Sequence, residues 1–197
     1  MELDVFSEAL GQLCEVDPSA LADPESIVGL YRDLARLEFL AAGEGLCIYG
    51  PVGVGKTHVA VALAHQACRR GYDALFVTAS RMLADLAGGH ADRSFAARLK
   101  ALAKPALLAV DDFAMRDFSV SAADDFYELV CEIVGKPGHS LVLTSNRSPA
   151  DWYPLFPNAV VGESVLDRVI NSSYHLLMDG QSYRPNRRPG RNPKPER

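Results

Sequence analysis

The sequence predicts an α/β fold, a three-layer sandwich in which helices cover both faces of a mostly parallel five-stranded sheet. Apolar runs of strand length alternate along the chain with segments whose apolar residues recur at helical spacing. Polar residues follow several of these runs directly, which is typical of parallel sheets that bind a ligand at the carboxyl ends of their strands. With 197 residues the chain suits a single α/β domain, and we expect no separate lid domain.

The first predicted helix spans about residues 24–42. Asp23 and Pro24 form a typical helix start, because aspartate caps a first turn and proline fits its first position. Apolar side chains then recur at helical spacing up to Gly43, a residue type that commonly ends helices. We therefore expect residues 1–42 to form a short helical lead-in.

A phosphate-binding motif joins the first predicted strand, residues 46–49, to a helix predicted over residues 57–70. The motif has the pattern G-x-x-x-x-G-K-S/T, and its residues are Gly50, Pro51, Val52, Gly53, Val54, Gly55, Lys56 and Thr57. Glycines in such a loop let backbone N–H groups turn towards phosphate oxygens, and the helix N-terminus adds a partial positive charge. A glycine-rich turn without a ligand is the alternative. The strand before the loop and the helix after it favour a nucleoside triphosphate site.

Three side chains at the end of this motif are candidate ligand contacts. Lys56 can supply a positive charge to the β- and γ-phosphates, and the hydroxyl of Thr57 can ligate Mg²⁺. His58 follows them directly and is the one histidine beside the loop, so we include it among the candidate nucleotide contacts.

The second predicted strand covers residues 74–78. A short helix follows it, and we expect that helix to end at Gly88 and Gly89, because glycine is unfavourable inside helices.

A further helix is predicted over residues 93–104, with one apolar face and one basic face. On a helical wheel, Arg93, Lys100 and Lys104 fall within ~40° of one another. This basic surface is a candidate DNA contact on a chain whose net charge is −5. An ordinary solvated helix face is the alternative.

The third predicted strand, residues 106–110, is followed by Asp111 and Asp112. A carboxylate at such a strand end can belong to the Mg²⁺ shell, and a second one beside it can orient or deprotonate an attacking water. A polar turn after a buried strand is the alternative. The presence of the phosphate motif in the same chain favours the catalytic interpretation.

The remaining predicted elements are a helix capped by Ser121, a fourth strand over residues 141–144, a helix over about residues 162–170 and a fifth strand over residues 174–178. The helix after Ser121 has apolar residues at core spacing, and its other side carries Asp124, Asp125, Glu128 and Glu132. Asn146 follows the fourth strand, so we expect it at the same sheet edge as the acidic pair.

The four cysteines are scattered among apolar neighbours, with neither the spacing of a zinc site nor close pairing: they are Cys14, Cys47, Cys68 and Cys131. We expect small core residues rather than disulfides or metal ligands. No apolar stretch approaches the ~20 residues of a membrane span, and the N-terminus lacks the layout of a signal peptide. These observations predict a cytoplasmic protein with no membrane partner.

The C-terminal residues 181–197 are strongly basic. They contain six basic residues and one acidic residue, a net charge of +5, whereas the rest of the chain carries −10. Because almost no apolar residues are present, we expect a main domain over residues 43–184 and a basic disordered tail over residues 185–197. A tether for nucleic acid and a solvated end that aids solubility are both compatible with this composition.

Six segments carry a family resemblance that runs from about Leu30 to Arg184. They are residues 50–58, 107–112, 144–147, Trp152, residues 166–168 and residues 180–184. In this order they resemble the IstB-like ATP-binding proteins, AAA+ ATPases that assist insertion-sequence transposases and are related to bacterial helicase loaders and replication initiators. The resemblance implies a P-loop NTPase fold of the AAA+ type, with ATP and Mg²⁺ as ligands.

The resemblance also implies roles for residues outside the phosphate motif. Asp111 is implied to share the Mg²⁺ shell with Thr57, and Asn146 to be the first sensor, which positions water near the γ-phosphate. Arg168 is implied to be an arginine finger that reaches the nucleotide of a neighbouring subunit, and Arg184 a second sensor. From its local sequence alone, a surface salt bridge is the simpler interpretation of Arg168.

Two features depart from the family pattern. The family usually has Asp-Glu where this chain has Asp111 and Asp112, so we expect slow turnover. The family usually carries an N-terminal domain that contacts its partner, and only about forty residues precede the first strand here. The choice of partner therefore stays open.

The leading hypothesis is an ATPase that assembles as an ATP-dependent homo-oligomer on double-stranded DNA. Its DNA contact is expected to be mostly to phosphates, hence of low sequence specificity, and its protein partner is expected to be a transposase or a replicative helicase. A second hypothesis is an adaptor that uses ATP as a conformational ligand and hardly hydrolyses it. A third, a small-molecule kinase, lacks an evident lid for an acceptor.

Overall fold

A computed structural model describes residue 34 and residues 36–182, and a five-stranded sheet forms its centre. The strands are β1 (Gly45–Tyr49), β2 (Ala74–Thr78), β3 (Leu107–Asp111), β4 (Ser140–Ser145) and β5 (Ser173–Leu177). Their order across the sheet is β2-β3-β4-β1-β5, and every neighbouring pair is parallel. The predicted five-stranded sheet is confirmed, and each predicted strand lies within about one residue of its observed bounds.

Helices follow the strands along the chain. They are α1 (Glu38–Ala42), α2 (Lys56–Arg69), α3 (Ala79–Asp92), α4 (Phe95–Ala103), α5 (Val120–Ile133) and α6 (Ala159–Asn171), with two short 3₁₀ turns at Pro149–Asp151 and Tyr153–Leu155. Within the described part of the chain, none of these helices has the length and apolar character needed to cross a membrane.

The helices lie on both faces of the sheet, as β3 illustrates. Side chains alternate between the two faces of a strand, so Leu107 and Ala109 join a buried cluster with α1 and α2. Leu108 and Val110 join the cluster on the other face, which contains residues of α3, α4, α5 and α6. The predicted three-layer sandwich is therefore confirmed.

The register of the strands brings their carboxyl ends to one edge. Thr78 pairs with Asp111 between β2 and β3, and Tyr49 pairs with Ser145 between β1 and β4. Because all strands run in the same direction, the loops that follow β1, β3 and β4 meet at this edge. The predicted ligand site depends on this arrangement.

Helix α3 continues through Gly88 and Gly89, so the predicted end of that helix is wrong. A Cβ atom at Gly89 would lie 2.7 Å from the Cα atom of Phe95, the first residue of α4. Gly89 therefore permits two helices to approach closely, and it does not end α3.

The turn between α3 and α4 contains Arg93, whose φ angle of 63° is left-handed. Arg93 precedes α4 and does not continue its helical geometry. The predicted helical-wheel grouping of Arg93 with Lys100 and Lys104 is therefore wrong, although all three side chains are exposed.

Arg98 joins α4 to α3 through several polar contacts. Its guanidinium donates to Asp85 Oδ1 at 2.6 Å and to Asp92 Oδ2 at 2.6 Å, and its Nε donates to Ser94 Oγ at 2.7 Å. Hydrogen bonds from the hydroxyl and the N–H of Ser94, and then the charge of Arg98, lower the pKa of Asp92. The charge of Arg98 is therefore paired with two carboxylates of α3.

Helix α5 begins slightly earlier than predicted. Ser119 caps it instead of Ser121, and its hydroxyl accepts the N–H of Ala122 at 3.2 Å. The predicted core positions of this helix are buried: Phe126, Leu129, Val130 and Ile133. Asp125 is predicted on the side opposite these core positions, but it is 4% exposed, and its Oδ1 lies 2.7 Å from Nε2 of His90.

The described part of the first predicted helix is short. Leu37 has a φ angle of 57°, which interrupts the helix before α1, so a continuous helix up to residue 42 is wrong. Gly43 caps the end of α1 as predicted. The rest of this helix and the tail of residues 185–197 lie outside the described residues.

The cysteines differ in environment. Cys47 is buried in β1, and burial raises the pKa of its thiol to about 12 in spite of a hydrogen bond with Ser173. This agrees with the predicted core role. Cys68 is exposed and Cys131 is half-buried, so that prediction is wrong for Cys68, and Cys14 lies outside the described residues.

Candidate functional site

The phosphate motif forms the loop between the end of β1 and the start of α2. Gly50 and Gly53 have φ angles of 145° and 89°, which residues with a Cβ atom rarely adopt. A Cβ atom would lie 1.8 Å from the carbonyl oxygen of Met178 at the first position and 2.0 Å from Oγ of Ser182 at the second. The loop shape therefore requires these glycines, and the segment after β5 packs directly on the loop.

Lys56 lies at the first turn of α2 with its side chain over the loop. The residue is 7% exposed, and its ammonium donates to the carbonyl oxygens of Gly50 at 2.7 Å and Pro51 at 2.6 Å. A helix N-terminus and an ammonium at the same loop form an anion-binding environment. His58 and Thr57 are exposed on this first turn.

Thr57 and Asp111 bring two oxygen donors together. The hydroxyl of Thr57 donates to Oδ1 and Oδ2 of Asp111 at 3.0 and 3.1 Å. Asp111, the last residue of β3, is 6% exposed. A hydroxyl and a carboxylate are the oxygen ligands that Mg²⁺ uses beside nucleotide phosphates, so the residues present fit this ion. Among residues 36–182, no cluster of three or more His, Cys, Asp or Glu side chains offers another metal site.

Asp112 follows β3 in a left-handed conformation, with a φ angle of 56°. Its side chain is exposed, and the residue lines a cavity of about 630 Å³ between α3 and α5. Its backbone N–H donates to Oγ1 of Thr144 at 3.1 Å. The two carboxylates of the predicted pair therefore differ: one is buried at the phosphate loop, and the other faces open space.

Sequence reasoning missed Thr144 as part of this site. Its hydroxyl donates to Oδ1 of Asp111 while it accepts the N–H of Asp112. The sequence signals are its place in the family segment 144–147 and a hydroxyl near the end of a buried strand, close to Asn146. Knowing that β3 and β4 are neighbours, with Val110 opposite Leu143, would have identified it.

Asn146 lies directly after β4, at the predicted sheet edge, and is half-buried. Its side-chain amide donates to Sδ of Met115 at 3.1 Å, in the loop that follows β3. The preceding residue, Ser145, donates to the carbonyl oxygen of Phe113 at 2.9 Å. The loops after β3 and β4 are therefore joined beside the phosphate loop.

Arg168 lies on the exposed surface of α6, where it packs against α5. Its guanidinium carbon lies 5.6 Å from the centre of the Tyr127 ring, and Nη1 lies 2.8 Å from Sγ of Cys131. Within the described residues, Arg168 has no carboxylate partner and does not contact the phosphate loop. The salt bridge of the alternative interpretation is therefore not formed among these residues, and the arginine-finger role stays a prediction.

The predicted DNA-contact residues lie on and around α4. Arg93, Lys100 and Lys104 are exposed on the turn before α4, on α4 itself and at its end, and no ion pair involves them within the described residues. Arg184 lies outside the described residues.

Comparisons with known proteins agree with this geometry. The family model described as "IstB-like ATP binding protein" matches residues 22–190. An ATP-binding protein of an insertion sequence in Mycobacterium tuberculosis, so described by its name, is 58% identical over 172 residues, which cover 86% of this chain and 67% of that protein. The ATP-binding protein named for insertion sequence IS21 in Pseudomonas aeruginosa is 33% identical over 153 residues, covering 78% of this chain and 57% of that protein. This chain therefore spans only part of these relatives.

The fold also has a solved counterpart. The crystal structure of the DnaC helicase loader superposes with a TM-score of 0.67 and 19% identity, covering 85% of this chain and 96% of that one. At this identity the likeness concerns the fold, and it agrees with the AAA+ type of P-loop NTPase.

Proposed function

Because the chain belongs to the IstB-like ATP-binding protein family, we propose that it is an ATPase that assembles on DNA and assists a transposase or a replicative helicase. The observation that carries this proposal is the convergence of Lys56, Thr57 and Asp111 at a glycine-rich loop. ATP binding follows from the family and from this geometry. Hydrolysis, DNA assembly and the partner are the proposed steps.

Binding of ATP would use the backbone of the loop and the ammonium of Lys56. The ammonium now donates to two carbonyl oxygens, so it must turn from them to reach the phosphates. Phosphate oxygens offer it charge-assisted hydrogen bonds in exchange, which are stronger than bonds to neutral carbonyls. Mg²⁺ held by Thr57 and Asp111 would neutralise charge on the phosphates.

Hydrolysis would depend on Asp112 and Asn146, which follow β3 and β4 at the same edge. We propose that Asp112 orients the attacking water and that Asn146 holds it near the γ-phosphate. Arg168 would be supplied by a neighbouring subunit, where its guanidinium would stabilise charge on the transferred phosphoryl group. Its exposed position on α6 supports a contact outside its own subunit.

DNA contact would involve the exposed side chains of Arg93, Lys100 and Lys104. Their ammonium and guanidinium groups would bind phosphates, with Arg184 and the basic residues after it as further candidates. Such contacts give salt-dependent binding with low sequence specificity. We further propose that residues 43–184 form the ATPase domain and that it works in the cytoplasm, where ATP and DNA are present.

The test of this proposal is the ATPase rate per subunit measured against protein concentration, with and without double-stranded DNA. Wild type and Arg168→Ala are compared, since a residue that acts in trans is not needed to bind ATP. We expect a rate that rises with concentration and with DNA, and that falls in the variant at unchanged ATP affinity. A rate per subunit that is independent of concentration and of Arg168 would contradict assembly-dependent hydrolysis.

An adaptor with little hydrolysis is a second candidate, and Asp112 is the observation that favours it. Aspartate is shorter than glutamate, and the cavity of about 630 Å³ beside it has room for a longer side chain. Asp112→Glu tests this idea. A large rise in turnover would indicate a switch damped by the short carboxylate, whereas unchanged turnover together with measurable wild-type activity favours the ATPase.

A further inference from the structure

We propose that Thr144 is a positioning residue that couples the two acidic residues of the site, and this inference rests on the proposed nucleotide site. Thr144 lies in β4, next to β3, and is 2% exposed. Its hydroxyl bonds both to the carboxylate of Asp111 and to the backbone N–H of Asp112.

The hydrogen bonds form one directed chain. The N–H of Asp112 donates to Oγ1 of Thr144 at 3.1 Å, and the Thr144 hydroxyl in turn donates to Oδ1 of Asp111. Oδ1 also accepts from Thr57 at 3.0 Å. Because a hydroxyl has one proton, its donation to Asp111 leaves its lone pairs to accept from Asp112. Each bond in such a chain polarises the next.

The two ends of this chain have different consequences. At the donor end, Thr144 fixes the rotation of the Asp111 carboxylate from the β4 side, whereas Thr57 approaches from α2. At the acceptor end, Thr144 holds the left-handed backbone of Asp112, where φ is 56°, a conformation uncommon for residues other than glycine. One hydroxyl therefore orients the carboxylate of Asp111 and holds the backbone that carries Asp112.

Thr144 is 2% exposed and its hydroxyl bonds to Asp111 and Asp112, so we infer that it acts through these two residues. Removal of a partner that orients a metal-binding carboxylate typically lowers metal affinity or activity by about 10- to 100-fold. The loss should appear in the Mg²⁺-dependent part of nucleotide binding, because Asp111 is the residue that fits the ion. Binding without Mg²⁺ should depend on the loop and on Lys56 instead.

The test uses Thr144→Val, which keeps the shape of the side chain and removes its hydroxyl, and Thr144→Ser, which keeps the hydroxyl. Affinity for a non-hydrolysable ATP analogue is measured by calorimetry with Mg²⁺ and with EDTA. We expect Thr144→Val to reduce the gain in affinity from Mg²⁺ by about tenfold or more, with EDTA values unchanged within about twofold. Thr144→Ser should retain the gain within about threefold.

Ser145→Ala is the matched control, because it removes a neighbouring hydroxyl that is 1% exposed. That hydroxyl donates to the carbonyl of Phe113 and accepts the indole N–H of Trp152 and the N–H of Arg147, and no carboxylate is among these partners. Ser145→Ala should destabilise the protein and leave the effect of Mg²⁺ intact. If Thr144→Val does not fold, Thr144→Ala and Thr144→Ser provide the same comparison.

Two results would overturn the inference. One is a normal Mg²⁺ effect in a folded variant that lacks the Thr144 hydroxyl. The other is an equal loss in Ser145→Ala, which would indicate general loosening of the sheet edge. The outcome is separable from that of the ATPase proposal. If wild type shows no ATP turnover but its gain in affinity from Mg²⁺ depends on Thr144, hydrolysis alone is refuted. If wild type turns over ATP but the gain in affinity from Mg²⁺ does not depend on Thr144, this inference alone is refuted.

Discussion

Two glycines with nearly the same φ angle allow the packing on the phosphate loop to be measured. The φ angle is 89° at Gly53 and 83° at Gly71, so alanine carries a similar backbone cost at both positions. That cost is about 1–2 kcal/mol for a left-handed residue. The surroundings differ, because a Cβ at Gly53 would lie 2.0 Å from Oγ of Ser182, whereas no atom lies within 4 Å at Gly71.

The difference between the two alanine variants therefore isolates the contact with Ser182. Moving the Ser182 side chain and its backbone resembles overpacking, which typically costs about 1–3 kcal/mol. We expect Gly71→Ala to lower the free energy of unfolding by about 1–2 kcal/mol. Gly53→Ala should lower it by the sum of both terms, about 2–5 kcal/mol.

The assay is urea unfolding followed by far-UV circular dichroism, together with ATP affinity measured by calorimetry. Gly53→Ala should also weaken ATP binding, because its loop N–H groups can no longer keep their orientation, whereas Gly71 lies beyond the far end of α2. Adding Ser182→Gly should restore most of the excess loss of stability. Equal losses in Gly53→Ala and Gly71→Ala, with equal ATP affinity, would refute close packing of Ser182 on the phosphate loop.

Three further predictions concern other parts of the fold. Gly89→Ala should lower the free energy of unfolding by about 1–3 kcal/mol because α4 approaches closely. Gly88→Ala, whose Cβ would lie 3.2 Å from Nη1 of Arg98, should have a smaller effect in the same urea assay, because alanine favours a helix over glycine by up to about 1 kcal/mol. The pKa of Asp92 is lowered, so the hydrogen bonds of its carboxylate stabilise the protein at pH values above 3.8, the ordinary pKa of aspartate, and this effect is lost as the pH falls through the lower folded pKa. The difference in free energy of unfolding between wild type and Asp92→Asn should therefore shrink between about pH 6 and about pH 3. A difference that stays constant over this range would contradict the argument. Tyr127→Leu removes the ring under Arg168 and should lower the concentration-dependent ATPase rate at unchanged ATP affinity; an unchanged rate would exclude this ring as a support for the guanidinium.

Much of the sheet could be predicted because its signals are local. Buried parallel strands appear in the sequence as short apolar runs, and the polar residues at their ends identify the ligand edge. The phosphate motif is a continuous segment, so its placement between β1 and α2 needs no knowledge of distant contacts. Lys56, Thr57 and Asp111 come together as expected.

The errors concern contacts between different elements of the fold. The local pattern favours a helix end at Gly89, because the approach of α4 is not encoded at that position. The same kind of pattern places Asp125 on the side opposite the core. Its burial could not be predicted, because its partner His90 lies 35 residues away on another helix. Thr144 lies in one of the family segments, residues 144–147, but its role could not be predicted, since that role depends on which strand lies beside β4. The partners of Thr144 follow from strand order, which the sequence pattern leaves open.

The position of Trp152 has a practical consequence for experiments on this protein. It is the only tryptophan of the chain, it is fully buried, and its indole N–H donates to Ser145 at 3.2 Å. Its ring also meets the ring of Phe113 edge-on, with centroids 5.0 Å apart. The indole thus touches the residue before Asn146 and the residue after Asp112, so the protein carries an intrinsic fluorophore between the loops that follow β3 and β4. Its emission offers a label-free signal, in stopped-flow mixing with ATP, for any rearrangement of those loops.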